Sequence, residues 1–356
     1  MVKIKKATIQ DIANYAEVSV GTIDRVIHNR GKVSPVKKKK IEEAIKQLNF
    51  NPNLLARTLA LGNQFSICTL FPEAVSLKDY WSFPKRGAEQ FVNSYRDFGI
   101  EIDAHEYSLF DEASFIKQSR MILDKNPSGV VMAPLFEKES IAFTQLLDER
   151  QIPYVFIDAN IPDQNNLTYI GPDSGTSGYM AGRLMNTIVQ QNEDILIINI
   201  AKGVENSAHV GVVEKGFRKY FTQENPHHKR QIHTLTIPSS EESEITRELT
   251  KFYIKNPGIK GVFVTNSMAH IISKFHEAHE LNIKMVGFDL IEENVEELKN
   301  GGIEYLISQS PIFQGKRSIQ VLFDFFVYKK EPLPVEYVPL DIILKENADF
   351  YVNANS

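Results

Sequence analysis

The stretch TIQDIANYAEVSVGTIDRVIHNRG, residues 8–31, contains two short amphipathic segments separated by a break at EVS. Apolar residues recur at helical spacing in both segments. They are Ile9, Ile12, Ala13 and Ala16 in the first segment, and Val20, Ile23, Val26 and Ile27 in the second. Thr8 and Ser19 suit N-cap positions, and Gly31 can end the second helix. The pattern predicts a helix-turn-helix, whose second helix can enter the major groove of DNA.

A third helix is predicted after Ser34-Pro35, because serine caps helices and proline suits the first helical position. NFNPN ends it, and Asn53 can cap a further short helix in LLARTLALG. We therefore predict a helical DNA-binding head at residues 1–52 and a hinge helix with its linker at residues 53–62. A hinge helix of roughly eight residues is too short to be stable alone. We expect it to fold only on DNA, paired with a dimer mate.

The charge distribution separates the head from the rest of the 356-residue chain. Residues 1–62 contain 12 Lys and Arg against 5 Asp and Glu, a net of +7, whereas the whole chain carries −5. The remainder therefore carries −12. A basic head on an acidic body favours binding of the head to a polyanion such as DNA.

From Phe65 onward, short apolar runs alternate with amphipathic helical stretches. Nine runs are predicted strands: FSICTLF, GIEIDAHEY, SGVVMAP, IPYVFID, DILIINI, RQIHTLTI, IKGVFVT, IKMVGFD and IEYLISQ. This alternation predicts parallel sheets covered by helices, and nine strands suit two sheets better than one. The predicted break between the two halves is DANIPDQNNLTYIGPDSGTSG. VEYVPLDIILK supplies the last strands, and the final ENADFYVNANS is predicted to be a loose end.

Residues 8–60 resemble the DNA-binding head of the LacI family of bacterial regulators. The shared landmarks are TI-x-DIA, A-x-VS-x-x-TI, RVI, VS before the third helix, LNFNPN and AR-x-LA. The resemblance implies that Val20 and Gly21 read bases, and that Leu59 wedges into a minor-groove step and kinks the duplex. The full set of expected DNA contacts is Thr8, Ser19, Val20, Gly21, Thr22, Arg25, His28, Asn29, Asn53, Ala56 and Leu59.

Asp24 departs from the family, which often has a small polar residue at this position. Its carboxylate either accepts a hydrogen bond from a cytosine amino group or pairs locally with Arg25 or His28. The departure leaves the operator sequence open but not the DNA-binding function.

Residues 64–345 are similar to the family's effector domain, and hence to periplasmic sugar-binding proteins. The implied fold class is an N-terminal all-α helix-turn-helix domain plus an α/β domain at residues 64–346. That domain would have two doubly wound parallel-sheet halves, with ligand in the cleft at the carboxyl ends of the strands. The first half is expected at about 64–160 and 309–331, and the second at about 161–308 and 332–346.

Polar and aromatic residues that follow predicted strands are the candidate ligand contacts. Sugars require planar hydrogen-bonding side chains for their hydroxyls and an aromatic platform for the apolar ring face. The candidates are Tyr80, Trp81, Phe83, Asp158, Asn266, Asp289 and Gln309. An Asp or Asn at a strand end can instead cap the next helix, and Trp81 can instead be a partly buried core residue.

One departure concerns the chemical class of the ligand. The family usually has an arginine three residues before the Gly-Phe of VGVVEKGF, and this position is Val213 here. An absent arginine removes a bidentate clamp for hydroxyl or carboxylate groups. Either His209 or Lys202 substitutes for it, or the ligand is less polar. A sugar is the family expectation, and a modified sugar, a polyol or a nucleoside remains open.

Other chemistry is not indicated by the sequence, and we expect no catalytic residue, no metal and no cofactor. Cys68 lies in an apolar run and is expected to be a core residue rather than a nucleophile. GPDSGTSG lacks the Lys-Ser/Thr ending of a phosphate-binding loop and is expected to start a helix. His276 and His279 share one helix face, which we expect to be solvated rather than to bind a metal.

The sequence therefore predicts a cytoplasmic transcriptional regulator, and we expect a repressor rather than an enzyme. It would bind a pseudo-palindromic operator as a homodimer, because one short helix reads only a few base pairs. A small-molecule effector, expected to be a sugar, would set the DNA affinity, without membrane contact. The alternatives are a solute-binding protein without a regulatory role, a regulator that responds to a nucleoside or other non-sugar ligand, and an enzyme such as a sugar kinase. The basic head and the absence of a signal-peptide-like run oppose the first alternative.

Overall fold

The computed structural model describes residues 9–27, 33–48, 65–74, 76, 79–200, 208–224 and 229–354. Within these ranges the chain forms a three-helix head and two α/β halves, in agreement with the predicted fold class.

The head consists of α1 (Ile9–Ala16), α2 (Val20–Ile27) and α3 (Pro35–Gln47). Ile12, Ile23 and Ile41, one from each helix, are fully buried and form its core together with small alanines. Ser34 accepts a hydrogen bond from the backbone N–H of Lys37 at 3.4 Å, and a proline follows it, so the predicted start of α3 is confirmed.

The first half contains a six-stranded sheet. Its strands are β1 (Phe65–Pro72), β2 (Ile100–Tyr107), β3 (Gly129–Met132), β4 (Tyr154–Ile157), β5 (Thr168–Gly171) and β11 (Val335–Tyr337). The spatial order is β11-β5-β4-β3-β1-β2, and neighbouring strands run parallel. Helices α4 (Ser82–Ser94) and α12 (Pro311–Tyr328) cover one face, and α5 (Glu112–Lys125) and α6 (Glu137–Glu149) cover the other.

The second half repeats this plan. Its strands are β6 (Asp194–Ile200), β7 (Ile232–Ile237), β8 (Ile259–Val264), β9 (Lys284–Phe288), β10 (Tyr305–Ser308) and β12 (Asp341–Ile343), in the order β12-β10-β9-β8-β6-β7. The edge strand β12 runs antiparallel to its neighbour. Its helices are α7 (Ser174–Ile188), α8 (Ala208–Glu224), α9 (Glu242–Lys255), α10 (Ala269–Ala278), α11 (Glu292–Asn300) and α13 (Ala348–Ala354).

Each half contains a helix pair that packs backbone against backbone at glycines. In the first half, a Cβ added to Gly87 of α4 would lie 2.0 Å from the Ile312 carbonyl oxygen of α12. In the second half, a Cβ added to Gly178 of α7 would lie 1.9 Å from the Val213 carbonyl oxygen of α8. Only glycine permits so close an approach, so these positions fix the distance between the paired helices.

The structure corrects three expectations. The bounds predicted for the halves are wrong at β5 and β11: both lie in segments assigned to the second half, and β5 lies inside the predicted break, but both strands belong to the sheet of the first half. The terminal segment expected to be loose forms α13, whose Ala348 is fully buried in the core of the second half. The expected solvated face is wrong for His276, which is 4 % exposed, with Nε2 2.7 Å from the Tyr253 hydroxyl.

Other expectations are confirmed. The nine predicted strands are present as β1–β4 and β6–β10, and GPDSGTSG leads into α7 with Asp173 as its N-cap. Cys68 is fully buried in a hydrophobic cluster of the first half. None of the helices in the described ranges has the length and apolar character needed to cross a bilayer.

Candidate functional site

The start of α2 presents small side chains to solvent. Ser19, Val20 and Gly21 are exposed, and a Cβ placed on Gly21 would meet nothing within 4 Å. The hydroxyls of Ser19 and Thr22 lie 2.9 Å apart, and Arg25 is exposed one turn further along the helix. The opposite face of α2 is held in the head core. The exposed face is therefore open to approach by base edges and phosphates.

The remaining predicted DNA contacts fall on other parts of the chain. Thr8, His28, Asn29, Asn53, Ala56 and Leu59 lie outside the described residues, as does the whole predicted hinge, 53–62. Their roles stay predictions.

A cavity of about 150 Å³ lies between the two halves, at the carboxyl ends of both sheets. Six of the predicted effector contacts line it: Tyr80, Trp81, Asp158, Asn266, Asp289 and Gln309. The topology brings these residues together because the carboxyl ends of parallel strands meet at one edge of each sheet.

Asp158 follows β4 and is held from three sides. Its Oδ1 accepts a hydrogen bond from the Tyr80 hydroxyl at 2.5 Å, and its backbone N–H donates to Gln314 Oε1 at 2.9 Å. The Tyr169 hydroxyl donates to its carbonyl oxygen at 3.1 Å. Burial, together with the charges of Asp158 and Asp289, raises the pKa of Tyr80 well above its ordinary value. Tyr80 therefore stays protonated and remains a donor to Asp158.

Asp289 follows β9 and occupies the matching place in the second half. Its Oδ1 accepts a hydrogen bond from Gln309 Nε2 at 3.0 Å, and it is 4 % exposed. Asn294 secures the turn by donating to the carbonyl oxygens of Phe288 and Asp289. Burial raises the pKa of the Asp289 carboxyl well above its ordinary value, and Asp158 adds to this, while the Gln309 bond opposes it.

The two carboxylates are linked by a chain of glutamines at a crossing between the halves. Gln314, at the start of α12, accepts from the Asp158 N–H and donates through Nε2 to the Gln309 carbonyl oxygen at 2.8 Å. The Gln309 side chain continues this chain to Asp289. Both glutamines are buried, and Asp158 takes part in this chain through its backbone N–H.

The first half contributes an aromatic and aliphatic wall. Trp81 is 7 % exposed, and its ring lies edge-on to Tyr80 with the centroids 5.0 Å apart. Trp81 belongs both to the core cluster and to the cavity wall, and its contact with a ligand stays a prediction. Phe83 is not among the residues that line the cavity; it packs against the core of the first half, with the Arg86 guanidinium 5.2 Å from its ring centroid.

Asn266 lines the cavity in the second half, but its amide is already engaged. Nδ2 donates to the Ile200 carbonyl oxygen at 2.9 Å, and Oδ1 accepts from the Met268 N–H at 3.2 Å. The adjacent Thr265 hydroxyl bonds to Asn199 at 2.8 Å. Asn266 thus shapes the turn before α10, which is the structural role that the sequence left open. His209 lies at the start of α8, and its side chain is not among the described ones.

Comparisons with known proteins agree with this architecture. Residues 8–53 match the family of bacterial regulatory proteins of the lacI type, and residues 70–330 match the periplasmic binding protein domain. A crystal structure described as a putative LacI transcriptional regulator from Bacteroides fragilis superimposes with a TM-score of 0.75 and 31 % identity. That superposition covers 81 % of this chain and all of the other.

Two regulators are similar by sequence. The HTH-type transcriptional regulator RegA of Clostridium acetobutylicum is 30 % identical over 178 residues, 49 % of this chain and 50 % of RegA. The ribose operon repressor of Lactococcus lactis is 24 % identical over 355 residues, 96 % of this chain and 99 % of that repressor.

The chain belongs to the LacI family. It is a DNA-binding transcriptional regulator whose body has the fold of periplasmic binding proteins. The similar proteins are regulators and not enzymes.

Four apolar residues of the cavity wall were not predicted from the sequence. Leu109, Phe110, Leu135 and Phe136 lie on loops after β2 and β3 and complete the apolar wall. As apolar loop residues they carry no polar signature, and only their place after a strand could have drawn attention to them.

Val213 stands where the family usually has an arginine, and its side chain does not face the cavity. Val213 is 1 % exposed and packs in the core between α7 and α8. Among the described residues of α8, Val210 lines the cavity instead. The expectation that Val213 marks a lost ligand clamp is therefore wrong, because an arginine there would point into a hydrophobic core.

Proposed function

We propose that the protein represses transcription from a pseudo-palindromic operator as a homodimer in the cytoplasm, and that a carbohydrate bound in the interhalf cavity sets its DNA affinity. The observation that carries the proposal is the cavity itself. It combines two buried carboxyls with an aromatic wall, on a chain that bears a LacI-type head.

The chemistry of the cavity favours a neutral, hydroxyl-rich ligand. Asp158, Asp289 and Gln309 offer acceptors for hydroxyl donors, while Trp81 offers an apolar surface for a ring face. Among the described lining residues there is no Lys, Arg or His, so within that part of the lining an anionic group would face Asp158 and Asp289 without a compensating cation. The similarity to a ribose operon repressor supports the sugar class.

A nucleoside is the second candidate ligand. Trp81, Phe110 and Phe136 line the cavity, and their aromatic rings offer faces on which a nucleobase can stack.

The proposed working parts are the head at 1–52, the hinge at 53–62 and the effector domain at 64–346. Ligand binding would change the populations of two cleft geometries, and the paired hinge helices would convert that change into DNA affinity. The chain from Asp158 through Gln314 and Gln309 to Asp289 supports this mechanism, because it joins the ligand contacts of both halves at a crossing.

Ligand class is tested by the melting temperature of the full-length protein with a panel of neutral sugars, polyols, sugar acids, sugar phosphates and nucleosides. A ligand at 100 times its dissociation constant adds about 2.7 kcal/mol of stability. We expect a shift with a neutral sugar or polyol, and a clearly smaller shift with the same concentration of that ligand in Asp158→Asn. A shift produced only by the acids or phosphates would contradict the proposed ligand class.

DNA binding is tested by titrating operator-length duplexes at several salt concentrations. If the paired heads contact six to ten phosphates, affinity should fall by roughly 10³–10⁵ between about 50 and 200 mM salt. Arg25→Ala should weaken binding, whereas Arg120→Ala, an equally exposed arginine on α5, should not. Equal effects of the two substitutions would remove α2 from the DNA interface.

A further inference from the structure

Three potential metal ligands meet on one face of the first sheet. Cys68 Sγ, an Asp103 carboxylate oxygen and a His105 ring nitrogen all lie within 4.8 Å of one another. Cys68 of β1 is the register partner of Asp103 on β2, and His105 follows two residues later. Residues two apart on a strand point to the same face, so the backbone pairing brings the three side chains together. None of them lines the ligand cavity.

The ring of His105 is oriented by a residue of the covering helix. Its Nδ1 lies 2.9 Å from Gln118 Oε1 of α5, an acceptor, so Nδ1 carries the hydrogen and donates it. The other ring nitrogen, Nε2, lies 3.4 Å from Asp103 Oδ2. Protein ligands of metals are commonly oriented in this way, with the second ring nitrogen donating to a fixed acceptor.

An ion bound at this cluster would take the place of the cation that Asp103 contacts now. At present the Lys125 ammonium pairs with Asp103 Oδ2 from the solvent side. The Lys125 side chain is 48 % exposed and flexible, so it can leave at little cost. Asp103 is itself 36 % exposed, which gives an ion a path to the otherwise buried cysteine and histidine.

We propose that Cys68, Asp103 and His105 bind a divalent transition metal of the zinc class. A thiolate, an imidazole and a carboxylate are the three donor types that zinc takes in proteins, and water would complete a four-coordinate site. Binding would replace Lys125 at Asp103 and release the proton of the cysteine. This metal site could not be predicted from the amino-acid sequence. Cys68 lies 35 residues before Asp103, and only the pairing of β1 with β2 brings the two residues together.

The site would tie the central strand β1 to the edge strand β2 and, through Gln118, to α5. It acts on the first half alone, so its occupancy should raise the stability of that half without needing the cavity ligand.

The test uses the full-length protein, stripped of metal with a chelator and titrated with Zn²⁺ by calorimetry and with Co²⁺ by absorption. We expect one equivalent of either ion, and a sulfur-to-cobalt charge-transfer band that reports the Cys68 ligand. Cys68→Ala should abolish the band, and His105→Ala should abolish stoichiometric binding. Gln118→Ala should weaken Zn²⁺ binding by roughly 10- to 100-fold while leaving all three ligands in place.

Two variants keep the test decisive if a buried substitution disturbs folding. Asp103→Asn removes a half-exposed ligand and should weaken Zn²⁺ binding, whereas Lys125→Met removes the competing cation and should strengthen it. The matched control is His233→Ala, which removes the histidine of the His233–Asp194 pair in the second half and should change nothing. A wild-type protein without the cobalt band, or a band that persists in Cys68→Ala, would overturn the proposal. Equal Zn²⁺ affinity in Asp103→Asn and Lys125→Met would do the same.

Discussion

The two sides of the cavity place a carboxyl group with the same backbone device. Asp158 follows β4 with φ 67°, and Asp289 follows β9 with φ 70°. In each case the aspartate N–H donates to the next strand of the sheet, to Ile170 at 3.3 Å and to Ile307 at 2.9 Å. Aspartate tolerates this left-handed conformation better than most residues. The two halves therefore share a turn that directs an acid at the ligand.

The side chains around these two acids differ. Asp158 is held by the hydroxyl of Tyr80 and adjoins an aromatic wall, whereas Asp289 is held by the Gln309 amide among polar residues. One wall of the cavity thus suits an apolar ring face, and the other suits hydroxyls. The comparison indicates that the repeated backbone fixes where the ligand lies, while the divergent side chains decide what it is.

The largest expected change in stability comes from substituting the glycine at the close helix contact of each half, which tests whether the two halves pack in the same way. Gly87→Ala and Gly178→Ala should each lower the free energy of unfolding by about 3 kcal/mol, at the upper end of overpacking effects. The added methyl group would lie about 2 Å from a carbonyl oxygen of the partner helix, and that backbone cannot move freely. Chemical denaturation of the full-length protein measures both values.

Gly211→Ala is the matched control in α8, because a Cβ at Gly211 meets nothing within 4 Å. It should stabilise the protein by up to about 1 kcal/mol, since alanine is the better helix former. A large loss in only one of the two halves would show that the halves do not share this packing device.

The next prediction is that neutralising Asp289 and neutralising Asp158 change the stability of the protein in opposite directions. Asp289→Asn should raise the stability of the ligand-free protein at neutral pH by roughly 0.5–2 kcal/mol, as is common when a strained binding residue is neutralised. The raised pKa of Asp289 means that the folded state binds its proton more tightly than the unfolded state. That contribution favours folding at low pH and is lost as the pH rises through the folded pKa.

Asp158→Asn should have the opposite effect on the ligand-free protein and lower its free energy of unfolding by about 1 kcal/mol. The reason is that the substitution weakens the charge-assisted hydrogen bond from the Tyr80 hydroxyl. Both substitutions should weaken binding of a neutral sugar by roughly 10-fold or more. Thermal melts with and without the ligand measure both quantities. Stabilisation by Asp158→Asn would show that the two acids are equivalent after all.

The sequence was informative wherever one strand or one helix carried the signal. Nine apolar runs predicted nine strands, and polar residues at their ends predicted Asp158, Asp289 and Gln309 at the cavity. The short strand β5 was missed because its four residues lie within a polar, glycine- and proline-rich segment. They are buried only because β4 and β11 enclose them on both sides.

Relations between distant segments could not be predicted. Tyr80 is bonded to Asp158 across 78 residues, and the backbone of Asp158 is bonded to Gln314 across 156. Helical spacing showed that His276 and His279 share a face of the helix. It could not show that Phe275, Tyr253 and the core would cover His276. Val213 was misplaced for the same reason, since position within a motif does not reveal which helix packs against it.

The last effect depends on pH and concerns His276, a buried residue of the second half. Burial, together with the nearby His279, lowers the pKa of His276 from its ordinary value of 6.5 to about 4. Between these two values the unfolded chain binds a proton that the folded protein excludes. The stability contributed by the neutral ring is therefore fully present above pH 6.5 and is lost as the pH falls through the folded pKa. Between about pH 7.5 and about pH 5.5 the loss should be about 1.4 kcal/mol.

Denaturation curves at a series of pH values measure this loss by comparison with His276→Gln, whose amide can still face the Tyr253 hydroxyl but does not titrate. The variant should lack this part of the slope. His279→Gln, which replaces an exposed histidine one turn away, should retain most of it, because burial is the larger cause of the lowered His276 pKa. His276 packs in the second half, so we expect the acid-induced loss to begin there. Hydrogen exchange at pH 5.5 would then show β8 and α10 opening before β1 and α4. The reverse order would mean that another group sets the acid limit of stability.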